Sequence, residues 1–180
     1  MRKINEIFYS LQGEGFYTGT PAVFIRFSGC NLKCSFCDTR HETGTLMSDE
    51  AILEAISAYP SDFVVLTGGE PSLWIDQPFI DRLHEAGKYI SIETNGTHPL
   101  PDGIDWVTCS PKGAPLQLKH MDEIKVVYTG QDVTEYARMN AAWHFLQPCS
   151  CQNTQAVIDY ILRHPEWRLS LQTHKLVNIP

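Results

Sequence analysis

Three cysteines stand within eight residues, in Cys30-Asn-Leu-Lys-Cys34-Ser-Phe-Cys37. Thiolates so spaced, behind Gly29 and after a strand-like run, can converge on one metal centre, and an all-sulfur donor set suits zinc or an iron–sulfur cluster. Three ligands on a four-iron cluster leave one iron without a protein sulfur, and a chelating cosubstrate can bind there. Zinc is the structural alternative, with His41 as fourth ligand in a binding module that catalyses nothing. About thirty residues on, Gly68-Gly69-Glu70-Pro71 closes an apolar run. Two glycines let backbone approach a ligand closely, and Glu70 can accept hydrogen bonds from a charged amine. Arg26, alone among apolar neighbours, has the fork geometry to pair with a carboxylate. Glu93 and Asn95 share the face of another strand end, from which they can reach a ribose.

These residues need a frame. Ala22 to Ser28 reads as a strand with Val23, Ile25 and Phe27 on one face and Phe24, Arg26 and Ser28 on the other. Ser48 is an N-cap ahead of Asp49 and Glu50, and Ile52, Leu53 and Ile56 form an apolar stripe ended by Pro60. Strands follow at Phe63–Thr67, Tyr89–Thr94, Trp106–Cys109, Glu123–Tyr128, Trp143–Leu146 and Trp167–Leu171. Helices are expected at 76–86, closed by Gly87, and at 133–140 and 152–162. Strands alternating with helices predict βαβ units and a mainly parallel sheet. With seven strands and four helices, the expected α/β fold is a partial, open barrel with reduced helix content, its site at the C-terminal ends of the strands.

The composition sets outer limits. The chain has 180 residues and no internal repeat or long linker, which predicts one domain over 1–180. An apolar fraction of 43% supports a real core without disulfides, and six cysteines are too few for a disulfide scaffold. No apolar run approaches a membrane span, and Met1-Arg2-Lys3 leads into no export signal, so a reducing, cytoplasmic setting is expected. Fourteen basic against 21 acidic residues give a net charge of −7, without a basic cluster. Nucleic acid is therefore not an expected partner; a small molecule or a protein is.

The cysteine triad after the first full strand, with the Gly-Gly-Glu-Pro turn after the next, resembles the radical S-adenosylmethionine superfamily. Further residues narrow the likeness. Leu11-Gln12-Gly13-Glu14-Gly15 precedes the triad, Arg26 lies between, Asp38-Thr39 follows, and Leu171-Gln172-Thr173-His174-Lys175 and Pro180 close the chain. Together they resemble the 7-carboxy-7-deazaguanine synthases over nearly the whole length. A glycyl-radical-enzyme activase shares the cysteine spacing and is the alternative within the superfamily, acting on a protein partner.

The resemblance implies a lyase that uses a 4Fe–4S cluster, S-adenosylmethionine and Mg2+. Its reaction converts 6-carboxy-5,6,7,8-tetrahydropterin to 7-carboxy-7-deazaguanine by radical ring contraction with loss of ammonia, on the route to queuosine. Cys30, Cys34 and Cys37 would bind the cluster. Phe36, Cys37, Asp38, Gly69, Glu70, Glu93, Ser110, Pro111, Lys112, Gln147, Pro148, Cys149 and Ser150 would meet S-adenosylmethionine. Leu11, Gln12, Gly13, Glu14, Arg26, Thr67 and the carboxylate of Pro180 would hold the pterin, and Thr39 would ligate magnesium. Flavodoxin or ferredoxin would supply electrons to a homodimer. Cys149 and Cys151 stand where relatives usually carry acidic or polar residues, and with Cys109 are expected to be free thiols. His174 is assigned no role.

Overall fold

Nine strands and five short helices run through residues 1–180 of the computed structural model. In chain order they are β1 (Arg2–Leu11), β2 (Pro21–Phe27), β3 (Thr45–Met47), α1 (Asp49–Ser57), β4 (Phe63–Gly68), α2 (Gln77–Glu85), β5 (Tyr89–Thr94), β6 (Trp106–Cys109), β7 (Glu123–Tyr128), α3 (Thr134–Ala137), β8 (Trp143–Pro148), α4 (Thr154–Ile161), β9 (Arg168–Leu169) and α5 (Thr173–Val177). They form one sheet in the order β3-β1-β2-β4-β5-β6-β7-β8-β9. From β2 to β9 every pairing is parallel; β1 pairs antiparallel with both β2 and β3. The two end strands, β3 and β9, do not pair, so the barrel is open, as expected.

The period-two alternation of the parallel strands gives the sheet two different faces. Val23, Ile25, Val64, Leu66, Ile90 and Ile92 point outward, where α1 contributes Ile52 and Ile56 and α2 contributes Phe79, Ile80 and Leu83 to one buried core. A second core joins Ile124, Val126 and Leu146 to Val157 of α4 and to Trp167. The other face carries Arg26, Thr67, Glu93, Lys125 and Gln147 and looks into the lumen. Local signals start the outer helices where the sequence places them. Ser48 Oγ accepts the Ala51 N–H (3.2 Å), and the Asp76 carboxylate accepts that of Phe79 (3.1 Å).

The N-terminal ends of the strands are filled by the β1–β2 loop. Phe16 stacks on Trp106 (centroids 4.8 Å apart) and packs against Trp143 (5.1 Å), while Tyr17 lies on Phe63 and Trp106 (4.8 and 4.9 Å). Phe63, Trp106 and Trp143 are the first residues of β4, β6 and β8. The Phe16 N–H donates to Glu123, the first residue of β7 (3.0 Å). No helix is long and apolar enough to cross a membrane.

The structure adds two strands and a helix to those read from the sequence, and shortens others. β1 carries Arg2, Lys3 and Glu6 among its apolar residues, which hides it. Its Arg2 is nonetheless buried, bonded to Asp49 (2.8 Å) and Asp76 (2.7 Å) and stacked over Phe79 (4.2 Å). The helix expected at 133–140 is a single turn, α3, none of whose residues is buried, so no packing extends it. The strand expected at 167–171 keeps two residues, because beyond Leu169 the side chains of Ser170 and Gln172 turn to Gln147 and Glu14.

Candidate active site

A cavity of about 1150 Å3 occupies the lumen at the C-terminal ends of the parallel strands. Cys30, Cys34 and Cys37, from the loop after β2, all line it. They are free thiols that share the one cavity. That arrangement fits a cluster whose separate irons each take one sulfur. The Leu32 N–H donates to Cys30 Sγ (3.4 Å), but burial pushes the free Cys30 thiol up, so a thiolate there needs a metal centre's positive charge.

The Gly-Gly-Glu-Pro turn holds this loop in place. The Glu70 N–H donates to the Gly29 carbonyl (2.9 Å) and the Gly69 N–H to that of Phe27 (3.0 Å). A Cβ on Gly69 would collide with the Gly29 carbonyl, so the close approach requires glycine. Glu70 departs from the expectation that it meets S-adenosylmethionine. Its side chain is fully buried outside the cavity lining, where Oε1 accepts from Thr94 Oγ1 (2.6 Å) and Ser72 N–H (3.1 Å) and Oε2 from Asn95 N–H (2.7 Å). A carboxylate so occupied braces the turn and has no reach to a ligand's amine. Asn95, which lines the cavity, donates from Nδ2 to Asn31 of the cysteine loop (3.0 Å). Pro111 is buried outside the lining, whereas its neighbours Ser110 and Lys112 line it.

The cavity floor is a buried ionic cluster. Lys125, 4% exposed, donates to Glu14 (2.6 Å) and Glu93 (2.9 Å). Glu93 also receives the Thr67 hydroxyl (3.0 Å) and Gln12 Nε2 (3.3 Å). Burial would lower the Lys125 pKa, but the flanking carboxylates of Glu14 and Glu93 raise it well above the usual lysine range. Burial would raise Glu93, and Lys125 beside it holds it below the usual carboxylate range instead. The floor thus holds the Lys125 ammonium between the side chains of Glu14 and Glu93. Gln12 and Gly13 reach it through the β1–β2 loop, and Gly13 lies so close under His174 that a side chain there would strike the imidazole.

The far wall comes from the tail. Gln172 Nε2 donates to both Glu14 (2.8 Å) and Asp38 (2.9 Å), Lys175 donates to Asp38 (2.6 Å), and the Thr173 N–H and hydroxyl both reach the Gly13 carbonyl (2.9 Å each). Burial would raise Asp38, but the bonds from Lys175 and Gln172 outweigh it and its pKa is lowered. Ser10 Oγ donates to the Pro180 carbonyl (3.0 Å), setting Pro180 at the cavity rim beside Leu11. Arg26 lies over the Phe8 ring (5.5 Å), which stacks on Phe24 (4.8 Å), and donates to Glu6 (2.7 Å). On the side of β6 and β8, Lys112 donates to Ser110 Oγ (2.8 Å) and faces the Phe36 ring (5.4 Å), while Gln147, Pro148, Cys149 and Ser150 line the wall. Cys109 is buried and its thiol pushed up to about 12, an inert group.

Of the expected site residues, all but Glu70 and Pro111 line this one cavity, Thr39 and Pro180 included. Sequence reading missed Lys125 as a site residue, and did not assign roles to Gln172 or Lys175. The signal for Lys125 was present: in Glu123-Ile-Lys-Val-Val-Tyr128 the two charged residues alternate onto one face of an otherwise apolar strand. Lys175 stood in the Leu171-to-Lys175 run without a role of its own, because its partner Asp38 lies far back in the chain.

Known proteins resemble the chain in sequence and in fold. Residues 24–139 match the family model described as the radical SAM superfamily. The chain is 70% identical to the 7-carboxy-7-deazaguanine synthase of Bacteroides thetaiotaomicron, with 99% of each chain covered. It is 45% identical to that of Burkholderia multivorans, with 98% of each covered. Among solved structures, that of QueE from Escherichia coli superposes with a TM-score of 0.79 at 33% identity, covering 94% of this chain and 93% of the other.

Proposed function

Because the chain belongs to the radical S-adenosylmethionine superfamily and, within it, to the 7-carboxy-7-deazaguanine synthases, we propose an assignment of its cavity to that family's reaction. The protein is a lyase of queuosine and 7-deazapurine biosynthesis that uses a 4Fe–4S cluster and S-adenosylmethionine on a small-molecule substrate. The observation that carries the site assignment is that one cavity gathers the cysteine triad, the Lys125 floor and the tail.

In this reading Cys30, Cys34 and Cys37 hold the cluster, and Phe36, Cys37, Asp38, Gly69, Glu93, Ser110, Lys112 and residues 147–150 line the S-adenosylmethionine side. When bound, that pair would supply the radical chemistry needed at C6 of 6-carboxy-5,6,7,8-tetrahydropterin. The chain's own part is to orient and to exclude water. Arg26 exchanges Glu6 for the substrate carboxylate, because a bidentate partner on a guanidinium already stacked over Phe8 costs little further ordering. Leu11, Gln12, Gly13, Glu14, Thr67 and the Pro180 carboxylate border the same substrate. The Thr39 hydroxyl, a hard oxygen donor on the cluster loop, offers a ligand to Mg2+. Flavodoxin or ferredoxin delivers the electron to a one-domain homodimer in the cytoplasm. The activase and zinc-module readings give no role to the buried Glu14–Lys125–Glu93 floor of the cavity.

The test is mass spectrometry of an anaerobic reaction holding iron-reconstituted protein, S-adenosylmethionine, Mg2+, a strong reductant and the carboxytetrahydropterin. A product lighter than the substrate by one ammonia is expected. Cleavage of S-adenosylmethionine without that product would remove the substrate assignment and favour the activase.

A further inference from the structure

Gln172 stands between the two sides of the cavity. It is buried, and its side-chain amide carries two N–H donors. Each is spent on a carboxylate from a different side. One goes to Glu14 Oε1 (2.8 Å), in the loop set against the pterin, and one to Asp38 Oδ2 (2.9 Å), on the cluster loop at the S-adenosylmethionine wall. Its oxygen accepts from Lys175 Nζ (2.9 Å). With both donors engaged, the amide cannot follow one carboxylate and keep the other. The two ends of this bridge differ in freedom. Glu14 is 15% exposed and is also bonded to Lys125 (2.6 Å). Asp38 is 40% exposed, and its side-chain donors, Gln172 and Lys175, both fall on Oδ2, so Oδ1 has no side-chain partner. Both carboxylates line the cavity.

We propose that Gln172 is a positioning residue that links the two ligand sites, so that occupation of either one tightens the other. A ligand against Asp38 fixes that carboxylate and, through the shared amide, fixes Glu14; a ligand against Glu14 does the reverse. The first ligand to arrive bears the ordering of the bridge and the second finds it ordered, which is positive coupling without a change of fold. The inference deepens the function proposed above and rests on it, because the cosubstrate is then held best where a pterin is already in place. Linkage is reciprocal: the factor by which S-adenosylmethionine tightens the pterin equals the factor by which the pterin tightens S-adenosylmethionine.

Calorimetric titration of anaerobic, cluster-loaded protein without reductant reads this factor in the absence of turnover. The probes are S-adenosylmethionine and 6-carboxypterin, each titrated alone and with the other at saturation. Wild-type protein is expected to bind each about 10-fold more tightly when the other is present, within the usual range for coupled sites. Gln172→Met keeps the length of the side chain, removes both N–H groups and should bring the factor to about 1. A buried substitution can unfold the chain, so Gln172→Asn provides a second readout. It retains the amide one methylene too short to span both carboxylates, and should lose the factor too. Thr173→Val removes a bond from the tail to Gly13 alone, on one side of the cavity only, and should keep the factor. A merely structural role for Gln172 would weaken each ligand alone and leave the factor intact. No mutual effect in wild-type protein, an undiminished factor in a folded Gln172 variant, or equal loss in Thr173→Val overturns the proposal and leaves the function standing. S-adenosylmethionine binding with no binding of 6-carboxypterin would instead overturn the pterin function, and the coupling with it.

Discussion

Asp38 is where the cluster loop and the tail meet, and its two bonds make it a local pH sensor of their contact. Its pKa in the folded chain is lowered, so the contribution of these bonds is fully present above the ordinary carboxyl range, near 4, and is lost as pH falls through the lower folded value. The carboxylate is 40% exposed, so the Lys175 pair is worth only about 0.5 kcal/mol. Asp38→Asn should therefore lower Tm by about 1–2 °C at pH 7, and calorimetry at successively lower pH should show the gap to wild type closing. One residue on, Thr39→Ala should leave the cluster intact by absorbance while reducing the stimulation of turnover by Mg2+; undiminished stimulation would end the assignment of Thr39 as ligand. Residues of this loop were legible because cysteine spacing is a local signal. Lys125 was not singled out, since its meaning comes from Glu14 and Glu93, which only the folded sheet brings to it.

Strands and helices carry the site by holding backbone segments at fixed distance, and the tightest of these is the turn after β4 against the loop after β2. Gly69→Ala should push Gly29 aside. Over-packing of this kind costs about 1–3 kcal/mol, and here the shift falls on the residue before Cys30. The expected outcome is an unchanged far-ultraviolet spectrum with a loss of bound iron. By contrast Ser48→Ala, at the cap of α1 on the outer face, should cost about 1 kcal/mol and leave iron content and turnover unchanged. The sequence showed the parallel strands well, because each is an apolar run whose outer face must be covered. It showed β1 and β9 poorly. β1 pairs antiparallel and carries charges that find partners in α1 and the turn before α2, and β9 has a single neighbouring strand. Glu70 was misread for a related reason: its motif was visible, but the three donors that occupy it come from Ser72 and the end of β5.

At the scale of the molecule, an open sheet gains a chamber only because its two ends are covered by the β1–β2 loop and the tail. No residue of α5 is buried, so deletion of residues 173–180 should leave the fold and the cluster in place. It should raise the KM for the pterin by about 10- to 100-fold, the loss of one charge-assisted contact at Pro180. An unchanged KM would remove Pro180 from the substrate's surroundings. The opposite end has a different effect. Phe16 and Tyr17 pack on the first residues of β4, β6 and β8 and cover that end of the sheet with aromatic rings. Entry to the Lys125 floor should then be from the cysteine-loop side, so a ligand bound there is expected to load before one that rests above it, which order-of-addition kinetics would check.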